Sequence, residues 1–239
     1  MSSEHRQVTV ADEPIEYSVR RSDDATEPRI DVGIHEITVV LPTGVSADPE
    51  QLLRENGDWV ATKKRKFDRY REQIPDRQFE EGATFPYLGE PHEVVVEVRS
   101  AADVVDGTLQ LAEHNVERTS VKRALEALYR RKARERFEDR ADHYAADMSI
   151  EYDRIEVRNQ KTKWGSCSTS GTIGLNWRLM MAPPEIIDYV VIHELAHLQE
   201  PNHSDAFWSL VEQYEPEYAE YADWLDGNST RLIFSDEDL

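Results

Sequence analysis

A single cysteine, Cys167, stands in 239 residues, so no disulfide can close within the chain. A lone thiol suits a reducing interior. No run of about 18 apolar residues occurs, which excludes a membrane-spanning helix. The opening stretch, Met1 to Asp12, is polar and lacks the apolar segment of a secretory signal. These absences point to the cytoplasm and to no membrane partner. Lysine is scarce, 7 against 21 arginines, and acids outnumber bases 48 to 28, for a formal net charge of -20. The acids are scattered along the chain rather than gathered in a tail. Such a surface repels itself in dilute buffer and is screened in salt, so the expectation is a halophilic protein, stabilised as salt rises.

What is present is enough to fold. Hydrophobic residues make up 39% of the chain, and the length suits one large domain or two small lobes. Residues 1–14 read as frayed and 228–239 as a loose, acidic tail. Short alternating runs bounded by Pro and Gly predict strands at Ile15–Val19, Ile30–Ile34, Ile37–Leu41 and within Thr84–Arg99. Between them Pro49 opens a helix expected to reach about Tyr70. Ser120 or Thr119 caps a long helix to Met148, with apolar positions three or four apart. Two more strands are expected at Ile155–Arg158 and Gly171–Asn176. Pro183-Pro184 opens a helix that Pro201 stops, and a further helix starts near Ser204. No internal repeat is visible. The fold class is α+β, with a β-rich N-terminal part over 15–110 and a helical domain with an active-site helix and a small sheet over 116–226.

The chemistry sits in His193-Glu194-Leu195-Ala196-His197. On a helix, residues four apart share a face, so both imidazoles reach one metal. Glu194, next to the first ligand, points aside and can serve a water made acidic by Zn2+. Hydrolytic zinc needs a third protein ligand and an open position. His203, six residues past His197 and beyond the helix-breaking Pro201, is the best placed. The bland alternative is a pair of histidines on a structural helix. The strongly apolar flank, Pro184 to Ile192, and the third histidine weigh against it. His5, His35, His92, His114 and His143 show no ligand spacing.

The three histidines fall at metzincin spacing, but Glu200 occupies the glycine position and no methionine follows Met181. A glutamate from a later helix (Glu212, Glu215, Glu217 or Glu220) competes with His203 as third ligand.

Lys163-Trp164-Gly165-Ser166-Cys167-Ser168, Leu175-Asn176, Asp188 to Leu198, Asn202-His203-Ser204 and Phe207-Trp208 closely resemble the YgjP-like metallopeptidase family. That family is similar to the SprT and WLM metalloproteases of the zincin group. The specific match covers about residues 120–212, with weaker similarity at Tyr17–Arg20 and Val39–Pro42. The resemblance implies a zincin-like fold, His193, His197 and His203 as zinc ligands, and Glu194 as the catalytic residue. It implies a peptide or protein substrate. Some members are described as hydrolysing UTP, so a nucleotide phosphohydrolase using the same metal site stays open, as does a non-catalytic module built around zinc.

Other features have two readings each. The Gly171–Asn176 strand either holds an extended substrate by edge pairing or is simply a core strand. Donors for a developing oxyanion are sought among Tyr189, Arg178, Tyr214, Tyr218 and Tyr221. Nothing assigns Cys167 a base, so it reads as packing. Two basic clusters, Lys63 to Arg71 and Arg118 to Arg140, hold 15 of the 28 bases. They either meet a nucleotide or nucleic acid, or are helix surfaces laced with acidic partners.

Overall fold

The computed structural model describes residues 5–11, 13–23, 25–33, 36–161 and 163–235. Ile34, the last residue of the second expected strand, and His35 lie outside the described residues, as do residues 1–4 and 236–239 of the expected loose termini. The fold is α+β, with seven α-helices and three small mixed sheets among the described residues. The chain divides into two compact units, one ending at Ile74 and the other beginning at Pro75.

The first unit contains β1 (His5–Val10), β2 (Glu13–Ser22), β3 (Arg29–Val32) and β4 (Ile37–Pro42), in the sheet order β1-β2-β4-β3. β1 corrects the expectation of a frayed start. Its Val8 and Val10 alternate inward, and Val8 lies opposite the buried Ile15 of β2. Four residues of alternation among polar neighbours are a weak signal alone and a sufficient one once paired. Two helices follow, α1 (Pro49–Glu55) and α2 (Gly57–Gln73), where one was expected. The break falls at Asn56, whose side chain bonds back to the Leu52 carbonyl at 2.9 Å. Gly57 lets the chain approach β1, since a Cβ there would lie 2.7 Å from Val10 Cγ1.

The second unit begins with β5 (Thr84–Tyr87), β6 (Glu90–Glu97), β7 (Asp103–Val105) and β8 (Thr108–Ala112), in the order β5-β6-β8-β7. This repeats the first sheet strand for strand: an antiparallel hairpin, a parallel pair, then an antiparallel edge. Both hairpins turn through a residue of positive φ, Ala11 and Leu88, and both enter the next strand on Glu-Pro. Both sheets are followed by two helices. The repeat escaped the sequence because little beyond Glu-Pro-x-Glu persists, at Glu13 to Glu16 and Glu90 to Glu93.

α3 (Glu113–Arg118) leads to α4 (Val121–Met148), capped as expected by Ser120, which accepts from the Arg123 amide at 3.2 Å. The apolar face of α4, including Leu125, Tyr129, Phe137 and Ala141, is buried. Its basic residues are largely met by acids: Arg130 by Glu126, Arg131 by Glu135 and Lys132 by Asp103, at 2.8, 2.9 and 2.7 Å. A solvent-facing pair such as Arg131–Glu135 contributes about 0.2–0.5 kcal/mol.

The third sheet is β9 (Arg154–Arg158), β10 (Gly165–Cys167) and β11 (Thr172–Asn176), in the order β10-β11-β9. A 3-10 turn, Trp177–Met181, leads to α5 (Pro184–Ala196), α6 (Asp205–Tyr214) and α7 (Tyr218–Asn228). The segment beyond Gly227, expected to be loose, is docked as far as Ser235. Phe234 is 1% exposed among Phe79, Phe85, Tyr129 and Trp177. Arg77 donates to the carbonyls of Ile233 and Arg231 at 2.9 and 2.6 Å. Among the described residues no helix is long and apolar enough to cross a membrane.

Candidate metal centre

α5 is apolar almost all round because it is packed on several sides. Ile186, Ile187, Val190, Val191, Ile192 and Leu195 are all buried. Polar bonds to Asp188 tie it to α4: Arg140 donates to both carboxylate oxygens, at 2.8 and 2.9 Å. The Tyr144 hydroxyl donates to the same carboxylate at 3.2 Å.

The helix stops earlier than Pro201 implies. His197 is its C-cap, and the Glu200 amide bonds to the Ala196 carbonyl at 2.9 Å. Ser204 then caps α6, accepting from the Phe207 amide at 3.3 Å. The short loop between these caps turns the chain back and carries His203 to the other two histidines. One ligand nitrogen from each of His193, His197 and His203 lies within 4.8 Å of the others. The Nε2 atoms of His203 and His193 are 3.1 Å apart. Rings from α6 back them: Phe207 stacks on His197 at 4.5 Å and Trp208 on His203 at 5.5 Å, between centroids.

Burial, and then the neighbouring histidines, push His193 down to about 3. His197 is also lowered, first by burial. Neutral imidazole is the form a metal requires. His197 Nδ1 lies 3.3 Å from the Glu200 carbonyl, a contact that orients the ring. His193 Nδ1 is buried without a partner. Three imidazole nitrogens gathered within 4.8 Å of one another suit a borderline divalent cation such as zinc, and no later glutamate joins them among the described residues. His92 and His143 lie elsewhere, beside Glu90 and Asp147.

Glu194 is 6% exposed, and burial raises its carboxyl to about 7, with Lys163 pulling the other way. It fits only because residue 165 is glycine. A Cβ on Gly165 would lie 2.6 and 2.7 Å from Glu194 Cγ and Cδ. Asn176 holds the strand carrying Gly165 in place. Its amide donates to the Trp164 carbonyl at 2.8 Å, and its side chain donates to the carbonyls of Gln160 and Lys163 at 2.7 and 3.2 Å. Both residues stood in the recognised motifs, but their roles depend on a contact between β10 and α5 that has no signature in sequence.

β11 is the central strand of its sheet, bonded on both edges, so it has no edge to offer a substrate. The free edge beside α5 is that of β10. Among the donor candidates, Arg178 is buried and bonded to Asn176 at 3.2 Å, Tyr221 donates to Glu217 at 2.8 Å and Tyr214 to the Asp147 carbonyl at 3.4 Å. Tyr189 and Tyr218 adjoin the histidine cluster, Tyr189 against His193 and Tyr218 stacked on Trp208.

Cys167 is half-buried, and its thiol is pushed up to about 11, by burial first and then by the charge of Glu194. At pH 8 its thiolate is about 100-fold scarcer than that of free cysteine. Alkylation by iodoacetamide is therefore expected to be slower by about that factor, and to keep accelerating through pH 10. A rate that levels off near pH 8 contradicts this environment.

Residues 26–228 match a protein family described as YgjP-like, metallopeptidase domain. Similar solved structures include the metallopeptidase zymogen abylysin of Pyrococcus abyssi, 30% identical, over 37% of this chain and 90% of that one, with a TM-score of 0.35. The metallopeptidase zymogen jannalysin of Methanocaldococcus jannaschii is 24% identical, over 38% of this chain and 88% of that one, with a TM-score of 0.35. No curated protein matches.

Proposed function

This chain belongs to the YgjP-like metallopeptidase family, and we propose that it hydrolyses peptide bonds with zinc held by His193, His197 and His203 and with Glu194 as general base. The observation that carries the reading is a buried carboxylate of raised pKa beside three converging imidazoles, two of them with lowered pKa.

When bound, zinc supplies Lewis acidity toward a substrate carbonyl and toward water. Glu194 takes a proton from the attacking water and returns it to the departing amine. A carboxyl titrating near neutrality suits both transfers. Its burial against Gly165 limits the directions it can take. The free edge of β10 supports an extended substrate, pairing backbone to backbone with Gly165–Cys167 next to that carboxylate. His203 is exposed, which leaves the cluster open to a substrate, whereas structural zinc sites are closed. A nucleoside triphosphate fits less well. The helices that flank the site, α5 to α7, contain no Lys or Arg to meet phosphates, which leaves Lys163, whose charge reaches Glu194, against their many acids.

The test is metal dependence. Purified protein is expected to hold about one zinc per chain and His203→Ala less than about a tenth of that. Chelation abolishes cleavage of unfolded casein and added zinc restores it. Metal binding is read independently through Trp208, stacked on His203: its fluorescence changes on titration with zinc, and Trp208→Phe removes the change. Full activity in metal-free protein or in His203→Ala overturns the reading.

A further inference from the structure

Residues 179–230 build α5, α6, α7 and all three histidines, and they hold eleven Asp and Glu but no Lys or Arg. The chain has 28 bases, and an even spread would place about six of them there. Carboxylates of this stretch crowd together beside α5. Glu215 is raised first by burial, against a hydrogen bond from the Glu217 backbone amide that lowers it, and then by the charges of Glu217, Asp188 and Glu185. Asp188 is matched by Arg140, which leaves Glu185, Glu215 and Glu217 as a surplus.

These acids rim an aromatic wall that starts at the metal ligands. Tyr189 packs on His193 at 5.8 Å between centroids, and Tyr221 lies 6.4 Å beyond it at 52°. A second row runs from His203 through Trp208 to Tyr218, the last two stacked at 5.2 Å. The Tyr221 hydroxyl donates to Glu217 at 2.8 Å, which fixes a carboxylate against the rings. Tyr189 is 6% exposed, its ring lying between those of His193 and Tyr221.

Aromatic faces attract cations, and neighbouring carboxylates add to that attraction while repelling anions. We propose that the wall of Tyr189, Tyr218 and Tyr221, rimmed by Glu185, Glu215 and Glu217, receives a lysine or arginine side chain of a peptide beside the bond being cut. The chain is then a peptidase selective for basic segments. This inference rests on the peptidase reading above, and a binding assay separates the two.

Zinc-loaded Glu194→Gln protein is titrated with a labelled alanine-based peptide bearing one arginine, and with the same peptide bearing citrulline, which is nearly isosteric but uncharged, with a carbonyl oxygen in place of one amino group. The arginine peptide is expected to bind at least ~10-fold more tightly, and in Glu185→Gln/Glu217→Gln the ratio falls below about threefold. Equal affinities, or no binding of either peptide at millimolar concentration, overturn the inference. Wild-type cleavage is measured alongside. Selective binding without any cleavage refutes the peptidase reading and supports the cation site. Cleavage of both peptides with equal kcat/KM refutes the cation site and supports the peptidase reading.

Discussion

Glu194→Gln is expected to lower peptide hydrolysis by about 10³-fold or more while the protein keeps its full complement of zinc. The amide has nearly the shape of the carboxylate and fits the same place against Gly165, so packing is preserved. What it lacks is a site that accepts a proton near neutral pH. Removing a positioned general base from a hydrolytic site costs about 10²–10⁴-fold. The histidines are untouched, so metal content and the response of Trp208 to zinc should match wild type. A variant that retains more than about a tenth of wild-type kcat takes the base role away from Glu194. A variant that has lost its metal makes Glu194 part of the binding set instead.

Gly165→Ala is expected to reduce kcat at least ~100-fold, although the substituted residue has no reactive group. The new methyl would fall within 2.7 Å of two Glu194 carbons, well inside contact distance. Either Glu194 swings off or β10 moves away from α5. Both displace the base by a distance that catalysis does not tolerate. Stability should fall by about 1–3 kcal/mol, the usual cost of overpacking. The sharper measurement is the cycle with Glu194→Ala. Shortening Glu194 removes the clash, so Gly165→Ala should cost less than ~0.5 kcal/mol in that background. Equal destabilisation in both backgrounds means that Gly165 serves the strand and not the carboxylate.

Where strands and helices were legible, local rules sufficed. Ser120 and Ser204 cap α4 and α6 as their side chains allow, and Pro184 opens α5. The places where reading failed were decided by partners far along the chain. β1 is a strand because β2 lies beside it, and Phe234 is buried because four aromatic rings meet there. The long helix expected from Pro49 is cut where α2 must approach Val10. β11 looked like a strand for a substrate, but only the strand order reveals that its edges are taken and that β10 has the open one.

The histidine cluster was readable directly, because residues four apart on a helix share a face and no tertiary information is needed to bring His193 and His197 together. His203 needed only the helix-breaking Pro201 and a cap at Ser204 to return. The sequence also determined the acid-only composition of residues 179–230. What only the tertiary structure decided is the environment of those groups: which glycine admits Glu194, how far burial raises its pKa, which carboxylates face Tyr221, and that two sheets of unlike sequence share one topology. The physical reason is range. Helical periodicity and capping act over about four residues, whereas burial and charge depend on strands and helices that meet only after the chain has folded.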